Sequence, residues 1–196
     1  MFWLGAVVVV GILHRMQRFF ENKGAIERFL KRLQKLTCPL CGATGTFVRH
    51  GFIRGSVSET EYGIRGWRIF CDPDSPQGTG CGWGPGLWLS STLLRRCFTS
   101  EQLLLFILAL CEGLSVYAAW RKSSIALSMR TGYRLHERLH LCQSVLRTSL
   151  CSRAPPPQRK KGASSPLLQV FDHLQETSGS VTTYQEDLQR DFLALK

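Results

Sequence analysis

Thr37-Cys38-Pro39-Leu40-Cys41-Gly42 and, further along, Phe70-Cys71 and Gly80-Cys81-Gly82 decide how this chain folds. Two close thiolates followed by a distant pair supply the ligand set of a tetrahedral structural zinc site. A CPxCG turn aims backbone amides at its sulfurs, and Gly42 can take a conformation that costs other residues more. The spacing therefore predicts a zinc ribbon, with Cys38, Cys41, Cys71 and Cys81 holding one Zn2+. The metal would fix a segment with little core of its own. The competing reading is four unpaired buried thiols. It leaves unexplained why three of the four adjoin glycine or proline turns. His50 is an alternative ligand, but four cysteines already close a structural site, and His50 reads as a strand-end surface residue.

At 196 residues the chain holds one medium domain or two small ones. Its net charge of +11 and pI of about 9.6 favour a polyanionic partner, nucleic acid or an acidic membrane surface. From Leu167 onward acidic residues outnumber basic ones, so the anion-binding surface belongs to the first three-quarters of the chain. Clustered CxxC cysteines fit a reducing, cytoplasmic compartment and a metal better than disulfides.

Four segments follow from the patterning. Residues 1–36 hold an apolar stretch, Met1 to Leu13, and a basic amphipathic helix over Arg15 to Lys35. The apolar stretch is shorter than the roughly 20 residues of a spanning helix, and it lacks a basic n-region. Three readings compete: a short membrane anchor, a helix packed on the domain, or an upstream extension from a misassigned start. The last two are favoured, so no membrane partner is expected. Residues 37–92 are the ribbon. Thr46 to His50 and Trp67 to Phe70 read as strands, and Asp72 to Gly80 as a turn-rich insert. A hairpin whose ends each bring one ligand pair to the metal is the natural architecture.

Residues 93–151 read as three helices. Thr99-x-x-Gln102 is a capping-box pattern before the apolar run Leu103 to Cys111. Ser115 caps a second helix reaching about Ala126, and Ser128 caps a third. On the third, Gly132, Leu135, Leu139, Cys142 and Leu146 share one face, and Arg130, Arg134 and Arg138 form another stripe. This order suggests a helix-turn-helix. Met129, Arg130, Thr131, Tyr133 and Arg134 then occupy the turns that enter a major groove. Arg130 or Arg134 could reach guanine edges, while Arg121, Arg138 and Arg147 suit phosphates. An ordinary three-helix bundle with a basic helix carries the same pattern. Residues 152–196 read as a Pro-, Ser- and Lys-rich linker and a flexible tail, whose weak periodicity around Leu167, Leu168, Phe171 and Leu174 fits a short helix or disorder equally. The fold class is therefore α+β: a small zinc-ribbon β-hairpin module followed by a three-helix helix-turn-helix bundle.

CPLCG, His50-Gly51, Arg65 to Cys71, Gly80-Cys81-Gly82-Trp83, Arg95-Arg96 and the helical LSxRTxYR segment together resemble bacterial transposase-type proteins. The resemblance covers roughly residues 37 to 150. It implies a zinc ribbon ahead of a helix-turn-helix that reads element DNA, with the four cysteines as ligands and the helix near Ser128 as reader. After Leu150 the sequence offers no room for an RNase H-like catalytic domain. The resemblance thus supports binding to double-stranded DNA and argues against strand transfer by this chain alone. A separate transposase or recombinase subunit would be the catalytic partner.

No enzyme is expected. The carboxylates Glu59, Glu61, Asp72, Asp74, Glu101, Glu112 and Glu137 are scattered, and no Walker loop, HExxH or GxSxG occurs. His136 and His140 share a helix face at i, i+4 but lack a third ligand. The expected function is a sequence-specific, non-catalytic DNA-binding protein stabilised by zinc. The alternatives are a zinc-ribbon protein–protein interaction module, a truncated transposase remnant, and a peripheral membrane protein using Met1 to Leu13.

Overall fold

A computed structural model describes residues 18–56, 61–157 and 165–195. The readings of Met1 to Leu13 and of the central linker residues 158–164 lie outside them. The described residues divide into two compact units, one formed by 18–55 with 62–90, the other by those from 91 onward. The fold is α+β: a four-stranded mixed sheet and, among the described residues, six α-helices.

The first unit is the sheet, in the order β1-β4-β3-β2. Strand β1 is Arg18–Phe20, β2 Phe47–Ser56, β3 Tyr62–Cys71 and β4 Gly86–Leu89. The helix expected over Arg15 to Lys35 is corrected here. Arg18–Phe20 pairs in parallel with Leu87–Leu89 and buries Phe19, so the chain is extended where helical spacing was read. Asn22 then accepts from the Ala25 amide at 2.9 Å and starts helix α1, Lys23–Leu30. A 3-10 turn, Leu33–Lys35, leads into the cysteine turn. Strand β3 pairs antiparallel with β4, with Gly66 opposite Trp88. The core is Ile26, Leu33, Phe47, Trp67, Ile69 and Leu87, completed by Cys38 and Cys71.

The second unit is helical: α2 Ser100–Cys111, α3 Val116–Lys122, α4 Met129–Cys151, α5 Pro166–Thr177 and α6 Val181–Leu188. The Thr99–Gln102 capping box forms in both directions. Ser115 caps α3 through the Ala118 amide. Helix α3 stops at Lys122, short of the expected Ala126, because Ser123 and Ser124 close the turn and Trp120 Nε1 donates to the Leu127 carbonyl at 3.1 Å. Ser128 precedes α4 without a side-chain cap; its hydroxyl meets that of Thr131 at 3.3 Å instead.

The flexible tail expected over 152–196 is also corrected. Leu167, Val170, Phe171, Leu174, Val181, Tyr184, Phe192 and Leu193 are all buried in the same core as Leu103, Phe106, Trp120, Leu135 and Leu139. Helix α5 packs on α2 and α4, and α6 packs on α2. Buried Gln185 ties the tail down: its Nε2 donates to the Thr92 carbonyl and its Oε1 accepts from the Phe192 amide, both at 3.1 Å.

Candidate functional site

The four predicted ligands converge. Their sulfurs all lie within 4.8 Å of one another. Cys38 Sγ is 3.7 Å from Cys81 Sγ, and Cys41 Sγ is 3.8 Å from Cys71 Sγ. A Zn–S bond of about 2.3 Å gives tetrahedral sulfur–sulfur edges of about 3.8 Å, so these are the spacings a zinc ion would span. They far exceed a disulfide bond, and all eight cysteines are free. Four sulfur donors at this spacing, with no histidine or carboxylate joining the cluster among the described residues, fit a closed structural site.

Local chain chemistry builds the cluster. The Cys38 amide donates to the Ala43 carbonyl and the Gly42 amide to the Cys38 carbonyl, both at 2.8 Å, folding CPLCG into a tight turn. Gly42 and Gly82 follow the exposed ligands Cys41 and Cys81, at φ of +78° and +76°, where a side chain would be strained. Cys71 ends β3, and the Asp72–Gly80 loop returns the chain to it. A Cβ on Gly80 would lie 2.3 Å from the Asp72 carbonyl oxygen, so only glycine lets Cys81 come back this close. The second pair is thus a loop closure and not a second CxxC turn.

The thiols are electrostatically unequal. Burial pushes the Cys38 thiol up to about 12, against the backbone amides of Cys41 and Leu40 that favour its thiolate. Burial also acts to raise Cys71, but the Thr46 hydroxyl at 3.1 Å, the Cys81 amide and the neighbouring thiols outweigh it and bring Cys71 down to about 7. Burial raises Cys81. Without a cation, the surroundings favour the thiolate of Cys71, while burial disfavours those of Cys38 and Cys81. A divalent ion removes that conflict and lets all four ionise.

The remaining cysteines do not join this site. Burial pushes Cys111 up to about 11. Buried Cys142 donates to the Leu193 carbonyl at 3.3 Å. His136 and His140 meet edge to face with ring centroids 4.6 Å apart, and burial together with His140 lowers His136. They belong to no cluster of three metal-capable side chains among the described residues.

In the helical unit, the predicted inward face of α4 is inward: Gly132, Leu135, Leu139, Cys142 and Leu146 are buried. Gly132 fits only as glycine, since a Cβ there would lie 2.8 Å from the Trp120 ring. Of the residues assigned to DNA, Arg121, Arg130, Tyr133, Arg134 and Arg147 are exposed, and Thr131 is half-buried. Arg138 is not a free phosphate ligand. Its Nε and Nη2 donate to the Leu193 carbonyl at 3.0 and 2.8 Å, so the tail occupies it. Its stripe alone could not reveal a partner fifty-odd residues on.

Exposed residues that the sequence reading did not single out include Tyr117 on α3 and the trio Arg49, Phe52 and Arg54 on β2. The latter had a legible signal: arginines flanking an aromatic in a β-prone run with no carboxylate. No protein-family model, curated protein or solved structure matches the chain. No helix among the described residues is long and apolar enough to cross a membrane.

Proposed function

We propose that the chain is a non-catalytic, zinc-stabilised protein that binds double-stranded DNA sequence-specifically, of the transposase-like or regulatory type, in the cytoplasm. One observation supports this most. Arg130, Tyr133 and Arg134 are exposed on the first two turns of α4 while Gly132 and Leu135 between and beyond them are buried. A helix anchored by one face and basic at its exposed N-terminal end suits major-groove insertion. The net charge of +11 supports a polyanionic partner. Zinc's part is structural: it holds the cysteine turn, the end of β3 and the Cys81 loop together. A separate transposase or recombinase subunit would supply any strand chemistry.

The test is selection of duplex DNA from a random pool, with bound zinc measured on the same sample. Arg134→Ala should relax preference at one base pair by about 1–3 kcal/mol. Arg147→Ala should weaken all sequences alike and lower the salt slope by about 1. If both variants keep the parent's preference and affinity, α4 is an ordinary bundle helix. The second reading, a protein–protein interaction module, is favoured by Leu141, 64% exposed on the same helix.

A further inference from the structure

Strands β2 and β3 carry charge of one sign. Arg49, Arg54, Arg65 and Arg68 lie on them with His50, and neither strand contains an aspartate or glutamate. In their midst Phe52 stands 43% exposed. In a regular strand Arg49 and Phe52, three positions apart, would point to opposite faces. Gly51 breaks the alternation with φ of +120°, a conformation side chains rarely adopt. Kinks of this kind re-aim side chains. Here the Arg49 guanidinium lies 4.9 Å from the Phe52 ring centroid, and that of Arg54 lies 5.9 Å away. Buried Trp67 meets the same ring edge-on at 5.7 Å.

The result is a wet aromatic ring, braced by a core tryptophan and flanked by two exposed cations. Arg49 lies 3.7 Å from Glu27 in an exposed pair, and in the sequence Glu61 directly precedes β3. An exposed pair of that kind competes weakly with a phosphate. Arg68 alternates onto the other face of β3 from Trp67 and is not part of this surface. Paired bases in a duplex keep their faces stacked, whereas unpaired bases offer theirs to an aromatic ring while arginines take the backbone.

We propose that this face of β2 and β3 binds single-stranded DNA, with one base stacked on Phe52 and phosphates held by Arg49 and Arg54. The surface lies on the other unit from α4 and adds a second nucleic-acid contact to the function proposed above. Only the choice of DNA over RNA rests on that function.

The test uses the full-length, zinc-loaded chain titrated into a labelled oligothymidylate of about twelve nucleotides, at several salt concentrations. Phe52→Leu should weaken binding about tenfold or more, while Phe52→Tyr stays within about twofold, because stacking needs a ring and not merely an apolar side chain. Replacing Arg49 and Arg54 together by glutamine should lower the slope of log K against log salt by about 1.4, two phosphates at about 0.7 each. Zinc content is measured for every variant. Should Phe52→Leu lose zinc, the arginine pair decides alone, and an unchanged salt slope overturns the proposal. So do equal affinities of the leucine and tyrosine variants, an absence of binding at low salt, or tighter binding of the matching oligouridylate. A failed duplex selection with an intact Phe52 series removes only the α4 reading; the reverse removes only this one.

Discussion

The two units solve the problem of small size differently. The sheet unit clusters eight buried apolar residues among those described, and two of them are the cysteines Cys38 and Cys71. The helical unit clusters twenty-three, drawn from all five of its helices and the segments that flank them. A core that includes two candidate metal ligands would depend on the metal they hold, whereas a core of that larger extent would not. The difference teaches that a metal held by the four cysteines would be a local requirement, confined to the unit with the smaller core.

The sharpest way to break this comparison is to remove a ligand. Cys38→Ser or Cys81→Ser should abolish the binding of about one zinc per chain, a term of about 10–16 kcal/mol for structural sites, and unfold the sheet unit. Fluorescence of Trp67, Trp83 and Trp88 should report the loss, while the helical far-ultraviolet signal persists. Cys142→Ser should keep its zinc. Protein that is folded in both units yet carries no zinc would remove the central inference.

The next largest effect belongs to the other unit. Phe171→Ala, on α5, should lower the unfolding free energy of the helical unit by about 3–5 kcal/mol in urea, with zinc content unchanged. An effect near zero would show that the tail adds nothing to that core. Gly132→Ala comes third, at about 1–3 kcal/mol, because its Cβ must displace the Trp120 ring where α3 and α4 meet. Thermal melts of the helical signal would measure it.

The smallest effect is a pH slope. Burial raises the Asp191 carboxyl above its ordinary 3.8, against the Leu193 and Leu94 amides and the charges of Arg96 and Arg138. Between 3.8 and the raised value the folded state holds the proton more tightly than the unfolded chain. The stability this contributes is complete below 3.8 and is lost as pH rises through the folded value. Asp191→Asn should remove that slope from the urea midpoint of the helical unit. An identical slope in both proteins would assign it to another group.

The thiol cluster was legible because thiol spacing and neighbouring glycines are local facts. So were the Thr99 capping box and the buried face of α4, which need only helical geometry. Strand β1 was not legible. Arg18-Phe19-Phe20 has apolar spacing that a helix would also accept, and its partner β4 lies far along the chain. The tail failed for a similar reason: Leu167, Phe171 and Leu174 show helical spacing, but whether such a helix is ordered depends on the surface it meets.

By itself, then, the sequence determined which four thiols meet, where α2, α3 and α4 begin, and which side of α4 turns inward, because turn chemistry, caps and periodicity act within a few residues. Only the tertiary structure decided that Arg18–Phe20 is a strand, that α5 and α6 complete the helical core, that Leu193 holds Arg138, and that Gly51 sets Arg49 beside Phe52. Most of these depend on partners distant in sequence. The last depends on a backbone kink that composition permits but does not require.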